Sequence, residues 1–151
     1  MARRLLIPLL CSLALAAPAQ AATVSPAESE LMASTSIVRA PCPTITDRVL
    51  PCADQDDRTI YLPSSVGTGP LYRVLLWHER GHVVDYWLID EAERGQIAAA
   101  LGWSAWAPER FADSYASCHV SERTRERASR GRNYHPLPRR SPCALIASAA
   151  S

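Results

Sequence analysis

A nearly continuous apolar stretch runs from Leu71 to Ile89. Apolar side chains fall on all sides of a helix drawn through it, which is typical of a helix buried at the centre of a small domain. Its polar positions are therefore informative. At about 100° per residue, one stripe of this helix consists of Leu71, Leu75, His78, His82, Asp85 and Ile89. The pattern predicts a central helix with two histidines on one face.

Two shorter helices are predicted to follow the central one. Asp90 and Glu93 have the spacing of a capping box, and the helix that they begin runs to Leu101. Pro108 is a good first-turn residue and begins a helix that runs to Cys118. The sequence therefore predicts about three helices.

Alternating polar and apolar residues predict a small sheet ahead of the central helix. The alternation covers 44–50 and returns over 58–62, with a break at 51–57. We interpret these segments as a short hairpin or two edge strands of a two- or three-stranded sheet. Helices and strands together predict an α+β fold with one domain over 42–151. A chain of 151 residues is too short for a barrel or a two-domain dinucleotide enzyme.

The segments on either side of this core are predicted to be less regular. Residues 22–41 are small, polar and contain proline, which indicates a flexible lead-in. Residues 121–151 contain seven arginines and two acidic residues and are predicted to form a mostly irregular basic tail, whereas 22–120 contains seven arginines and thirteen acidic residues. The tail has no interleaved aromatic residues and no nucleic-acid motif. We therefore expect a solvated basic face and no nucleic-acid partner.

The first 21 residues have the pattern of a secretory signal peptide. Arg3 and Arg4 precede an apolar run over 5–17, and the small residues at 19–21 suit a cleavage site. The run is about 13 residues long, whereas a membrane-spanning helix needs roughly 20. We therefore predict a secreted, extracellular protein that is monomeric and has no membrane contact after cleavage.

Four cysteines follow the predicted signal peptide, at Cys42, Cys52, Cys118 and Cys143. An even number suits disulfide bonds in an oxidising compartment, and four cysteines allow three pairings. We favour Cys42–Cys52 as a short local loop and Cys118–Cys143 as a link between the tail and a helix. A zinc–thiolate site is disfavoured because no two of the cysteines have CxxC spacing.

The central helix carries the motif HExxH at His78, Glu79 and His82. Histidines four residues apart on a helix lie one above the other, so both imidazoles can bind one zinc ion. Glu79 then faces the open side of the metal. There it can take a proton from a water whose pKa the metal lowers to about 7, and later pass it to a leaving amine. Gly81, inside the motif, is expected to let another element approach the helix closely.

A catalytic zinc ion requires a third protein ligand and one open position. Glu109 and Asp113 lie four residues apart on the third predicted helix, and so on one face of it. We predict that Glu109 binds the metal while Asp113 hydrogen-bonds a ligand histidine from behind, most plausibly His78.

HExxH on one helix followed by ExxxD on another resembles the gluzincin branch of the zincin metallopeptidases. The sequences HERGHVVD and ERFAD are also similar to the catalytic core of the anthrax lethal factor type, and the similarity covers about 58–120. It implies a minimal zincin-like single domain with His78, His82 and Glu109 as ligands of one zinc ion. It also implies that Glu79 is the general base and that Asp113 hydrogen-bonds a metal-ligating histidine.

The same resemblance implies that an extended substrate lies beside a strand formed by Thr59, Ile60, Tyr61 and Leu62. The chain departs from the family in one respect. Such enzymes place a Tyr or His where it can hydrogen-bond the oxyanion, but Leu101 to Pro108 contains no Tyr. Tyr134 and His135 are candidate substitutes if the second disulfide folds the tail over the cleft.

Asp85 shares the histidine stripe and has two interpretations. It either orients His82 or a substrate amine, or forms an ion pair with an arginine.

Two functions are consistent with the sequence. The first is a secreted zinc peptidase that hydrolyses a peptide or protein substrate. The second is a secreted, non-catalytic zinc-binding interaction module that retains the fold.

Overall fold

The computed structural model describes residues 24–45, 50–130, 137–138 and 143–151. These residues form an α+β fold with six α-helices and one three-stranded sheet. The elements are α1 Pro26–Ala33, β1 Ser36–Val38, β2 Cys52–Asp54, β3 Thr59–Tyr61, α2 Pro70–Leu88, α3 Glu91–Ala100, α4 Pro108–His119, α5 Glu122–Arg130 and α6 Cys143–Ala149. The predicted fold class is confirmed, although the sequence predicted about three helices. The predicted signal peptide lies outside the described residues.

Helix α2 is the central element of the domain. It packs against α1, α4, α5 and the sheet, so apolar side chains all round the helix find partners. The core around it contains Ile60, Leu62, Val83, Val84, Ile97, Phe111 and Tyr115, all essentially inaccessible to solvent. None of the helices in the described part of the chain is long and apolar enough to cross a membrane.

The sheet has the strand order β1-β3-β2, with β1 parallel and β2 antiparallel to β3. Ile60 at the middle of β3 pairs with Ile37 on one side and Ala53 on the other, and it is fully buried. The prediction that Thr59–Leu62 forms a substrate-binding edge is therefore wrong, because β3 uses both of its edges within the sheet. The strand that packs along α2 at the edge of the sheet is β2.

The predicted capping box at the start of α3 is confirmed. The side chain of Asp90 accepts a hydrogen bond from the backbone N–H of Glu93, and the carboxylate of Glu93 accepts one from the backbone N–H of Asp90, each at 2.8 Å. This capping box satisfies two N–H groups that a helix start otherwise leaves unpaired. It turns the chain sharply after α2, so α3 begins three residues after α2 ends.

Helices α2 and α4 make a very close approach at Gly81. A methyl group at Gly81 would lie 2.8 Å from the Cα atom of Ala112, which is closer than real contacts of this kind. The two helices therefore pack with their backbones nearly in contact. This confirms the expectation that Gly81 allows another element to approach the central helix.

Both favoured disulfides are confirmed. Cys42–Cys52 joins the segment after β1 to the start of β2, and Cys118–Cys143 joins the end of α4 to the start of α6. Their Cα atoms are 5.6 and 5.5 Å apart, within the usual range for a disulfide.

The flexible lead-in predicted over 22–41 is wrong where the structure describes it, because this segment forms α1 and β1. Ser25 caps α1 by accepting a hydrogen bond from the backbone N–H of Glu28 at 3.0 Å, and its hydroxyl donates to the carbonyl of Ala150. The carboxylate of Glu28 is buried and accepts a hydrogen bond from Tyr115. These polar contacts hold the segment on the domain together with Leu31, which is buried in the core.

The basic tail and the first strand also differ from expectation. The tail predicted over 121–151 to be irregular contains α5 and α6, which bury Ala128 and Ile146.

A strand was predicted within 44–50, but β2 lies at 52–54 inside the predicted break. Positions 46–49 fall outside the described residues. The disulfide at Cys52 and pairing with β3 fix a strand that the local pattern does not indicate.

Substituting Gly81→Ala should reduce the free energy of unfolding by about 1–3 kcal/mol, since the new methyl group forces α2 and α4 apart. Urea unfolding followed by circular dichroism measures this. Gly95→Ala is the matched control, because Gly95 is also helical and has no neighbour within 4 Å of a Cβ position. It should be neutral or stabilising by up to about 1 kcal/mol. Equal unfolding midpoints for the two variants would contradict the close-packing argument.

Candidate metal centre

Three side chains from two helices meet at one point. His78 and His82 lie one turn apart on α2, with their Nε2 atoms 3.2 Å apart. Glu109, in the first turn of α4, places one carboxylate oxygen 3.2 Å from His78 Nε2 and the other 3.4 Å from His82 Nε2. Among the described residues this is the group whose ligand atoms could hold a metal ion.

The spacing of these donors fits a tetrahedral metal site. Metal–ligand bonds of about 2.0–2.1 Å give a tetrahedron whose edges are about 3.3 Å long. The imidazole nitrogens are 3.2 Å apart, and they lie 3.2 and 3.4 Å from different oxygens of the Glu109 carboxylate, so the separations are close to that edge. Three protein donors leave the fourth corner of the tetrahedron open, which is the arrangement of catalytic sites.

Asp113 fixes the orientation of the first histidine. Nδ1 of His78 lies 2.9 Å from Oδ1 of Asp113, one turn beyond Glu109 on α4. With the Nδ1 proton donated to this carboxylate, the lone pair of His78 Nε2 points towards the other two donors. A metal ion or a proton between these donors would balance their lone pairs. The predicted role of Asp113 behind His78 agrees with this geometry.

The two histidines have opposite pKa shifts. Burial lowers the pKa of His78, but the hydrogen bond that His78 donates to Asp113 and the nearby carboxylates of Glu79 and Glu109 outweigh it, so the net pKa is raised. Burial and the adjacent His78 lower the pKa of His82. His82 is therefore held as the neutral imidazole that metal binding requires.

Glu79 is buried between α2 and β2. Burial raises its pKa to about 7, although the nearby His78 and a backbone hydrogen bond from Ala53 partly offset this. The carboxylate lines the same cleft as the two histidines. A carboxylate with a pKa near neutrality can both accept and release a proton at physiological pH.

The donors lie in an open cleft of about 950 Å³ between α2, β2 and the segment that follows the first disulfide cysteine. The apolar lining residues include Ile45, Leu50, Val66, Leu71 and Leu75. The lining also includes Ala53 and Gln55, which the sequence pattern did not indicate because its alternation breaks at 51–57. The side chain of Glu109 is 78% exposed, so the cleft opens on that side.

Asp85 does not orient a histidine. Its Oδ1 accepts a hydrogen bond from Arg94 Nε at 2.8 Å and its Oδ2 accepts one from Trp106 Nε1 at 3.2 Å. Of the two interpretations, the ion pair with an arginine is the one that the structure contains. Because Trp106 lies three residues before Glu109, this buried carboxylate anchors the loop that leads into α4.

The predicted substrate-strand residues do not line the cleft. Thr59–Tyr61 lie in the central strand, and the lining from the sheet comes from Cys52 and Ala53 of β2 instead. Tyr134 and His135 lie outside the described residues.

Comparisons with protein-family models, with curated proteins and with solved structures find no match to this chain. The gluzincin resemblance therefore stays a prediction based on the motifs. A functional proposal for this protein has to rest on the geometry of the metal centre and its cleft.

Removing the carboxylate of Asp113 should weaken divalent metal binding without removing a ligand. Asp113→Ala leaves His78 without its hydrogen-bonded orientation, and loss of such a partner typically costs about 10- to 100-fold in affinity. Competition titration against a chromophoric chelator measures the dissociation constant. Asp57→Ala, at an exposed turn position, is the control and should bind like the wild type. Identical affinities for the two variants would show that Asp113 does not orient the ligand.

Proposed function

We propose that this protein is a secreted zinc-dependent peptidase of the gluzincin type. The observation that carries the proposal is the convergence of His78, His82 and Glu109 at tetrahedral spacing, with Glu79 beside them in an open cleft. Two imidazoles and one carboxylate are a donor set used by catalytic zinc sites. The two disulfides and the signal-like first 21 residues support the secreted location.

Zinc bound here would polarise the substrate carbonyl and make a water molecule acidic enough to lose a proton near pH 7. The chain's own residues perform the proton transfers. Glu79 takes a proton from the water as its oxygen bonds to the carbonyl carbon. When the C–N bond breaks, Glu79 returns that proton to the leaving nitrogen, which gives a carboxylic acid and an amine. The acid then loses its remaining proton to the amine or to solvent and becomes a carboxylate. Burial raises the pKa of Glu79 above that of a free carboxyl group, which favours its return of the proton in the second step.

Strand β2 is the element along which we place an extended peptide. It lies at the edge of the sheet against α2, and Cys52 and Ala53 line the cleft. An edge strand has backbone N–H and C=O groups that can pair with another extended chain. In the described part of the chain, β2 pairs with β3 alone, which supports this placement.

The lining of the cleft supports a preference for apolar substrates. Leu71 and Leu75 precede His78 on α2, and together with Val66 they form an uncharged wall of the cleft. A charged side chain placed there would lose its hydration without gaining a partner. We therefore infer that a peptide binds with an apolar side chain beside the bond that is cleaved.

A non-catalytic zinc-binding module is the second candidate. Among the described residues of the cleft, no Tyr lines the site and the histidines are the two ligands themselves. This observation favours a protein that binds metal and a partner without hydrolysing it. Activity of the purified protein distinguishes the two candidates.

Glu79→Gln should abolish hydrolysis while retaining about one zinc ion per chain, because the amide cannot carry the proton but is no ligand of the metal. Peptide-library cleavage and metal analysis measure the two properties. Glu30→Gln, at an exposed position of α1, should match the wild type in both. Equal cleavage rates for wild-type protein and Glu79→Gln would rule out the peptidase proposal. Partner capture that survives in Glu79→Gln would favour the second candidate.

Placing a charge in the apolar wall should change substrate preference. Val66→Asp should lower kcat/KM for peptides with a leucine or phenylalanine beside the scissile bond by at least about tenfold, and lower it less for peptides with arginine there. Val24→Asp carries the same change at a position that is 46% exposed outside the cleft, and should leave both values unchanged. An unaltered preference in Val66→Asp would place the substrate elsewhere.

A further inference from the structure

The proposed reaction needs a hydrogen-bond donor in addition to the predicted metal ligands and general base. When water adds to a peptide carbonyl, negative charge develops on the carbonyl oxygen, and a positioned donor stabilises it. Apart from the two metal-ligating histidines and the general base, two of the described side chains that line the cleft carry a neutral N–H or O–H donor, Gln55 and Ser65. The two side chains differ in their position relative to the metal ligands.

Position along α2 separates the two candidates. Ser65 lies in the short turn Ser64–Val66 before Pro70, and therefore at the N-terminal end of the helix. The carboxamide nitrogen of Gln55 instead donates to the backbone carbonyl of His82, at 3.4 Å. Gln55 thus lies beside the turn of α2 that carries the second metal ligand.

Contacts with α2 hold the backbone of the segment that contains Gln55. Its carbonyl oxygen accepts a hydrogen bond from Trp87 Nε1 at 2.8 Å, and Arg58 covers the Trp87 ring with its guanidinium carbon 4.0 Å from the ring centre. Two residues earlier, Ala53 provides the backbone hydrogen bond to Glu79. The same short segment therefore contacts the general base and presents the amide.

The hydrogen bond from the Gln55 side chain to the His82 carbonyl is, by contrast, weak enough to break when a substrate binds. Its 3.4 Å length exceeds the usual 2.7–3.2 Å for an N–H donor to a carbonyl oxygen. Turning the side chain from the His82 carbonyl towards a bound substrate therefore costs little free energy. The second N–H of the amide also remains a donor after one is used.

We propose that Gln55 is a catalytic residue whose carboxamide N–H donates to the oxygen of the scissile carbonyl as that oxygen gains negative charge. The role rests on the proposed peptidase function. Gln55 neither gains nor loses a proton. The proton from water passes through Glu79 to the leaving nitrogen, while Gln55 stabilises the oxygen until the C–N bond breaks and the carboxylic acid forms.

The test compares Gln55→Ala with Gln96→Ala, the same substitution at an exposed position of α3. Gln55→Ala should lower kcat by about 100-fold, the usual effect of removing such a donor. KM should stay within about threefold, and the zinc content and melting temperature should match the control. Gln55→Glu, which preserves shape but places a carboxylate near the developing charge, should lose at least as much.

A second measurement does not depend on turnover. A phosphonamidate peptide carries a tetrahedral, negatively charged group in place of the carbonyl, and its affinity measured by calorimetry should fall about 100-fold in Gln55→Ala. The affinity for zinc alone should not change. Comparing the phosphonamidate affinity with the zinc affinity distinguishes loss of a donor to the substrate from damage to the metal site.

The proposal is overturned if wild-type protein hydrolyses peptides and Gln55→Ala keeps kcat and phosphonamidate affinity within about threefold. It is also overturned if Ser65→Ala or Tyr134→Phe causes the 100-fold loss while Gln55→Ala does not. A wild-type protein that binds zinc but cleaves no peptide in the library overturns the peptidase function itself, and the role of Gln55 with it.

Discussion

The close contact between α2 and α4 is the constraint on which the rest of the site depends. Two histidines on one helix can supply only two corners of a tetrahedron, so the third donor has to come from another element. Because Gly81 has no side chain, the backbone of α4 comes close enough at Ala112 for Glu109 to reach both imidazoles. A larger separation of the helices would lengthen the 3.2 and 3.4 Å donor distances together.

The carboxylates around this contact have different tasks because they have different partners. Asp113 follows Glu109 by one turn and bonds His78, whereas Asp85 bonds Arg94 and Trp106 and so fixes the loop before α4. The first turn of α4 is therefore held from both sides. This explains how Glu109 can be largely exposed and still lie at ligand distance.

The parts of the fold and site that could be predicted are those whose signals are local. The periodicity of α2, the capping box of α3 and the proline at the start of α4 act within one or two turns, and the two histidine ligands follow from HExxH spacing. Helix α1 has a local start signal, with Ser25 as its N-cap and Pro26 as its first residue, but it has no apolar stripe, since its buried positions are Leu31 and the polar Glu28. Glu28 is stable there because Tyr115, far away in the chain, donates to it. Such pairing depends on tertiary structure and cannot be deduced from the segment alone.

The wall of the cleft was harder to predict than the metal ligands because its segments contribute little apolar surface of their own. Strand β2 is three residues long, and a domain of this size has a limited core, so such segments need another source of stability. The Cys42–Cys52 bond closes the segment that supplies Ile45 and Leu50 to the cleft, and the Cys118–Cys143 bond ties α6 to the helix that carries Glu109. In the chain-entropy account, closing short loops of this kind contributes on the order of 3 kcal/mol each by restricting the unfolded chain. The first crosslink thus lies where burial is least able to hold the cleft wall, whereas the central helix is packed on all sides and has no crosslink.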